Sequence, residues 1–190
     1  MVTFATRNHK KLEEIRAIIP NTVSMEDVGL FFETVEDGNT YIENAYKKAK
    51  AVVDATGKPA LADDSGVEIA FLDGKPGLHA ADYLYDNTQY RKRNEAILAK
   101  MQGVENRAVT YVCTMLLLLP TGEQYVTHGE LKGDLATEPR GDQGFAYDEL
   151  MIPQGDTRTL AEMSLEEKNK ISHRNIALRK MQAVIEELGL

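Results

Sequence analysis

Residues 60–70 read Ala-Leu-Ala-Asp-Asp-Ser-Gly-Val-Glu-Ile-Ala, so two adjacent carboxylates stand between segments apolar enough to be buried. A solvated loop tolerates such a pair. Loops, however, seldom lie between a Leu-Ala run and a Val-Glu-Ile-Ala alternation. In an extended chain neighbouring side chains point to opposite sides, so one carboxylate faces a cleft while the other ties down backbone. Hard divalent cations such as Mg²⁺ take oxygen ligands of this kind and keep most of their waters. A carboxylate there can equally accept a proton from attacking water. The competing reading is an Asx-turn that leads into the next strand.

The flanking periodicities set the fold class. Residues 2–6 form a strand candidate, and from Lys10 the pattern turns helical: Leu12, Ile15, Ile18 and Ile19 share a face, and Pro20-Asn21 closes it. Residues 40–57 read as the clearest helix, with a stripe of Ile42, Ala45, Tyr46, Ala49, Val52 and Val53 ending at Gly57. Residues 58–63 read as a short buried strand, 74–77 as a turn, and 87–102 as a helix. A long β-branched strand over 108–120 turns at Pro-Thr-Gly-Glu and returns over 123–133. From Ser164 the chain reads as helix in two pieces around 171–174. Strands alternating with helices, plus one long hairpin, predict an α/β fold. Its mixed, twisted central sheet would be flanked by helices in two lobes with a cleft between them. No repeat or linker divides residues 1–190, which read as a single domain.

Other stretches carry polar groups at positions suited to chemistry. Thr6, Arg7, Asn8, His9, Lys10 and Lys11 lie at a strand-to-helix junction, where free N–H groups and the helix dipole attract anions. The alternative is a simple N-cap from Thr6 or Asn8 with solvated lysines. Thr40 and Glu43 fit a capping box, as do Ser164 and Glu167. Glu36 and Asp37 sit in a loop that either reaches a metal or is merely acidic and solvated. Lys168, Lys170, His173 and Arg174 crowd one stretch, either as a recognition cluster or as the polar face of a helix.

Composition excludes several classes. Lys plus Arg total 22 against 30 Asp plus Glu, a net charge of −8, which is a poor footprint for gripping nucleic acid. A phosphate-bearing small molecule remains compatible if the basic groups share one pocket. Cys113 is the single cysteine, so neither an internal disulfide nor a Cys-rich metal site can form. The apolar run 115–119 is too short to span a bilayer. The opening residues lack the charged leader and apolar core of a secretory signal, which makes a cytoplasmic protein the expectation. A serine-hydrolase reading of Ser65 lacks a Gly-x-Ser-x-Gly elbow, and neither a Walker loop nor a dinucleotide fingerprint occurs.

Taken in order, five blocks carry a resemblance. Thr6, Asn8, Lys11 and Glu14 match a Thr-x-Asn-x-x-Lys-x-x-Glu opening. Gly38 to Ala45 match a Gly-x-Thr-Phe-x-Glu-Asn-Ala helix start. Ala-Asp-Asp-Ser-Gly stands intact at 62–66, followed by Gly74 and Pro76-Gly77. Gly144-Phe145-Ala146-Tyr147-Asp148 corresponds to Gly-Phe-Gly-Tyr-Asp. Ala161-Glu162-Met163, Glu167-Lys168, Ser172-His173-Arg174 and Ala177-Leu178 complete the set. Together they resemble the inosine triphosphate pyrophosphatase family, along nearly the whole chain. The chain departs from that pattern at Arg7, Ala80, Asp82, Ala146 and Glu149, where glycine, serine, arginine, glycine and proline are usual.

The resemblance implies Mg²⁺-dependent hydrolysis of aberrant purine nucleoside triphosphates (ITP, XTP, dITP) to monophosphate and pyrophosphate, by a cytoplasmic homodimer. It assigns Asp64 and Lys11 to catalysis and Asp64 with Glu36 to the metal. Thr6 to Lys11 would hold phosphates, and Ser65 would touch substrate beside the metal. Phe145, Ala146, Tyr147 and Asp148 would pack the base, which Lys168, His173 and Arg174 would read. Two rivals follow from the departures: a pyrophosphatase for another modified nucleoside triphosphate, or a nucleotide-binding sensor without turnover.

Overall fold

The computed structural model describes residues 2–81, 83–84 and 89–190. Its elements in chain order are β1 (Thr3–Phe4), α1 (His9–Arg16), β2 (Val23–Ser24), α2 (Tyr41–Thr56), β3 (Ala60–Ile69), β4 (Lys75–Gly77), α3 (Tyr90–Lys100), β5 (Ala108–Leu118), β6 (Gln124–Leu135), β7 (Met151–Pro153), α4 (Leu165–Ile171) and α5 (His173–Glu187). The strands form one mixed sheet in the order β2-β1-β3-β5-β6-β7, with β4 pairing β3 off that path. β1 runs parallel to β2 and β3, whereas β4 is antiparallel to β3 and β7 to β6. The expected mixed α/β class is the one observed.

The chain forms two compact units. The first comprises residues 1–64, 113–129 and 173–190; the second comprises 65–112 and 130–172. Strands β3, β5 and β6 each contribute to both. In the first unit the period of two along the strands sorts side chains between two cores. Leu61, Cys113, Met115 and Leu117 pack with Leu12 and Ile15 of α1 and with Leu178 and Met181 of α5. Ala60, Ala62, Leu116 and Leu118 pack with Ala45, Ala49 and Val52 of α2. Each large apolar side chain so buried contributes about 1.5–3 kcal/mol. The second unit has its own core, in which Val67, Ile69, Val109 and Tyr111 meet Ile97 and Met101 of α3 and Tyr147, Leu150 and Met151.

Helix ends follow local chemistry. Thr40 caps α2 by accepting from the Glu43 N–H, and Gly57 ends it in a left-handed conformation at φ 64°. Glu43 reaches one residue farther back than a capping box requires, accepting from the Asn39 N–H at 2.7 Å. The Ser164–Glu167 box forms as expected. Ser172, in extended conformation, separates α4 from α5, the two helical pieces read from the sequence.

Four expectations need correction. β1 covers two residues rather than five, and α1 stops at Arg16 rather than Ile19, its last C=O groups taken up by the turn that follows. The strand read as short over 58–63 instead runs for ten residues, Ala60–Ile69, straight through Asp63-Asp64, which excludes the competing Asx-turn. Residues 75–77, read as a turn, form the short strand β4 in register with β3 (Val67↔Gly77, Ile69↔Lys75). β7 had no sequence signal, being only three residues held by pairing to β6.

Candidate active site

Alternation along β3 sends Asp63 to the face of Leu61 and Asp64 to the face of Ala60 and Ala62. Asp63 is 2% exposed. Lys11 donates to both its oxygens at 3.1 and 2.9 Å, and Arg174 Nε lies 3.4 Å from Oδ2. Arg174 also donates through Nη1 to Glu14, itself buried. Two cations and two carboxylates thus balance within one buried cluster of the first unit. Burial pushes the Asp63 carboxyl upward, but Lys11, Arg174 and Lys48 overcome it and hold the group far below the usual carboxylate range. Arg174 is likewise held charged, Glu14 and Asp63 outweighing the effect of its burial.

On the opposite face Asp64 meets α2. Asn44 Nδ2 donates to Asp64 Oδ2 at 3.0 Å, and its own Oδ1 accepts from the Gly38 N–H at 2.8 Å. One turn later on the helix, Lys48 Nζ lies 3.8 Å from Asp64 Oδ1 and donates to Glu36 Oε2 at 2.6 Å. Burial is the main influence on Asp64 and raises its carboxyl above the usual range, against the pull of Lys48 and Asn44. Burial also works against the Lys48 charge, but Asp63, Asp64 and Glu36 prevail and raise its pKa. Adjacent aspartates are therefore set to different tasks. Asp63 is held as an anion, while burial makes Asp64 the more readily protonated of the two.

Among the described residues no group of three or more His, Cys, Asp or Glu could hold a metal ion. The charges of Asp64, Glu36 and Lys48 sum to −1, and two carboxylates are the set Mg²⁺ uses when phosphate oxygens and waters complete its shell. Two carboxylates that share Lys48 fit such a cation, and Asp64 and Glu36 are the residues that would hold it.

The 6–11 stretch behaves first as a cap. Thr6 Oγ1 accepts from the Asn8 N–H, and Asn8 Oδ1 accepts from the N–H groups of Lys10 and Lys11. Only Lys11 is brought to the carboxylates. Arg7 pairs with Glu33 at 2.9 Å, and His9 and Lys10 are exposed.

The second unit contains the 144–149 turn. Asp148 Oδ2 accepts from the Phe145 N–H at 2.9 Å and from Lys168 Nζ at 2.7 Å. Lys168, only 3% exposed, lies 4.9 Å from the Phe145 ring centroid, a cation–π distance. Gly144, at φ 75°, is required here, since a Cβ would stand 2.2 Å from Asp148 Oδ2. Ser65 lies in this unit, half-buried in β3 directly after Asp64. Of the expected base-packing and base-reading residues, Tyr147, His173 and Arg174 are buried. Tyr147 is core, its hydroxyl donating to the Ala80 carbonyl and its ring stacked under Arg93. Arg174 belongs with Glu14 and Asp63 in the first unit, as does His173, the buried first residue of α5. Asp82 lies outside the described residues. Sequence reasoning gave Asn44 no role beyond its place in the Gly38–Ala45 block and missed Lys48, Arg93 and Asn94. The i, i+4 spacing of Asn44 and Lys48 on α2 was a signal for Lys48.

Comparison with known proteins agrees with the motifs. The profile of the Ham1 family matches residues 2–184. A dITP/XTP pyrophosphatase of Frankia alni is 43% identical over 197 aligned positions, covering 98% of each chain. One from Geobacter sulfurreducens is 45% identical over 180, covering 92% of this chain and 90% of that one. Among solved structures, the Staphylococcus aureus Ham1 protein superimposes with a TM-score of 0.87 at 32% identity, covering 98% of both chains. The Coxiella burnetii HAM1 protein gives a TM-score of 0.89 at 32% identity with the same coverage. A full-length profile match, relatives above 40% identity and end-to-end structural likeness make this chain a member of the Ham1 family.

Proposed function

We propose that this chain hydrolyses deaminated purine nucleoside triphosphates, dITP and XTP foremost and ITP with them, to the monophosphate and pyrophosphate. The observation that carries this reading is the opposed environment of Asp63 and Asp64, joined to relatives that bear the name dITP/XTP pyrophosphatase. Water attacks the α-phosphorus and the α–β bridging P–O bond breaks, its electron pair leaving with pyrophosphate. Asp64 accepts the proton of the water, for which its raised carboxyl is suited. Lys48 and Lys11 offset charge on the phosphate oxygens, and Asp63 holds Lys11 in place. When bound, Mg²⁺ would be held by Asp64 and Glu36 and would supply charge neutralisation at the phosphate oxygens.

The Phe145–Asp148 turn packs the base and Lys168 reads it. Deaminated purines carry a 6-oxo acceptor where adenine carries an amino donor. An ammonium suits the oxygen; set against an amino group it leaves a buried donor unmatched, at about 1–3 kcal/mol. Arg174 serves the phosphate side through Asp63 rather than the base. By resemblance the enzyme works as a cytoplasmic homodimer. Among the described residues no helix is long and apolar enough to cross a membrane.

The test is pyrophosphate release from dITP, XTP, ITP, GTP, ATP and dTTP with Mg²⁺, for the protein and its Asp64→Asn variant. Release from dITP and XTP well above ATP, lowered ~10²–10⁴-fold in the variant, supports the reading. Turnover of a different triphosphate moves the substrate assignment. Tight binding with no turnover makes the protein a sensor.

A further inference from the structure

Two consecutive residues of α3, Arg93 and Asn94, are polar and yet 0% exposed. Burying an amide or a guanidinium costs several kcal/mol unless its donors are used, so their partners are informative. Both Asn94 N–H groups are directed at the 144–149 turn. Nδ2 donates to the Ala146 carbonyl and to Glu149 Oε1, each at 2.8 Å. The amide oxygen of Asn94 finds no partner among the described residues, so the side chain is kept for its donors rather than for a fully matched core.

What Asn94 holds is strained. Ala146 stands at φ 57°, a left-handed conformation that a residue with a Cβ rarely adopts. A glycine there would adopt it freely; an alanine stays only if its surroundings insist. The carbonyl that Asn94 grips is the one belonging to that strained residue. Glu149, three residues on, takes the second N–H and so orients the amide.

Arg93 acts on the residue between. Its guanidinium lies 4.1 Å from the Tyr147 ring centroid and donates to the carbonyls of Ala80 at 3.0 Å and Ala81 at 2.7 Å. The Tyr147 hydroxyl donates to the same Ala80 carbonyl at 2.6 Å, and the Tyr147 carbonyl accepts from the Tyr111 hydroxyl at 2.7 Å. Residues 146, 147 and 149 are thus each anchored. Residue 148 is left to turn its carboxylate toward Phe145 and Lys168.

We propose that Arg93, Asn94 and Glu149 are positioning residues for nucleobase selection: they clasp the strained 146–149 turn and preset the Asp148–Lys168 pair that reads the base. The inference rests on the assignment of that pair to the base. A turn held this way presents Asp148 and Lys168 in one geometry before substrate arrives, so little ordering is left for the binding step. Loosening the clasp weakens recognition of the base and leaves the phosphate chemistry of the other unit as it was.

The test compares Glu149→Ala, Glu149→Gln, Asn94→Ala and Arg93→Lys with the unaltered protein. Glu149 is only half-buried, so its variants fold even if the α3 variants do not. Steady-state constants are measured for dITP and dATP, dIMP binding is measured by calorimetry, and inhibition by inorganic triphosphate reports the phosphate side. The expected result for Glu149→Ala and Asn94→Ala is a KM for dITP and a Kd for dIMP raised about tenfold. The kcat and the triphosphate inhibition change less than twofold, and the dITP-to-dATP preference falls. Glu149→Gln, which keeps an acceptor for Asn94, restores the unaltered values; Arg93→Lys, which cannot stack and donate together, does not. Lowered thermal stability with unchanged KM, Kd and preference overturns the inference and makes the clasp purely structural. An unaltered protein that shows no preference for dITP over dATP overturns the base assignment itself, and this inference with it.

Discussion

Asp63 and Asp64 are neighbours in β3, and their carboxylates lie on opposite faces of the sheet with opposite surroundings. Asp63 is met by Lys11 and Arg174, and Asp64 by Asn44 and, at 3.8 Å, Lys48. One side-chain chemistry therefore serves two purposes. The difference is set by which helices cover each face, α1 and α5 on one and α2 on the other.

The two aspartates should respond oppositely to neutralisation. Asp63→Asn leaves Lys11, Arg174 and Glu14 with one anion too few in a buried cluster, and the expected loss is about 3–5 kcal/mol. Asp64→Asn removes a charge that burial disfavours and keeps an acceptor for Asn44. Its expected stability change lies within about 1 kcal/mol, with activity lost. Urea unfolding at neutral pH separates the two.

The pH dependences follow from the same pair. The folded-state pKa of Asp63 is depressed, so the stability it contributes is fully present above its unfolded value near 3.9 and is lost as pH falls below that. Asp64 is raised, so the folded state holds its proton more tightly, and its contribution declines as pH rises through the folded value. In the metal-free protein Asp64 is therefore expected to titrate above an ordinary aspartate and Asp63 below one, whereas a Mg²⁺ held by Asp64 would pull its carboxyl down again. Carboxyl NMR titration without Mg²⁺ checks this, and Asp64 titrating below Asp63 overturns the assignment.

Lys48 is expected to matter more to turnover than to folding. Lys48→Met takes a cation from beside Asp64 and Glu36, and should lower kcat/KM roughly 10²-fold while the chain still folds. Glu36→Gln removes one of the two proposed Mg²⁺ ligands and should raise the Mg²⁺ concentration needed for half-maximal rate about tenfold. Titration of Mg²⁺ after chelator treatment measures both. An unchanged Mg²⁺ requirement in Glu36→Gln removes that residue from the metal set.

Gly129 marks a close approach of β6 to the start of α5. A Cβ there would lie 2.0 Å from the His173 carbonyl oxygen and 2.6 Å from the Ala177 nitrogen, both backbone atoms that cannot step aside singly. Gly129→Ala should therefore shift α5 and cost about 1–3 kcal/mol or more. Because Arg174 is the second residue of α5, the same change should loosen its contact with Asp63 and raise the sensitivity of stability to acid. Thermal unfolding at two pH values reads both effects.

What the chain determined on its own was whatever depends on near neighbours. The α2 boundaries at Thr40 and Gly57, the Ser164 cap, and the break at Ser172 are legible because caps and left-handed turns are settled within a few residues. The paired aspartates announced a site because carboxylates amid apolar residues demand partners. Tertiary structure alone decided which partners those were. β4 and β7 are three residues each and exist only because β3 and β6 pair with them. Lys48 looks in sequence like any lysine on an amphipathic helix until α2 is laid over Asp64. Arg174 sits among residues that read as a base-recognition cluster, yet the packing of α5 against α1 turns it to Glu14 and Asp63. Burial sets the strength and even the sign of each charge effect, and burial is a property of the packed fold rather than of any local stretch of sequence.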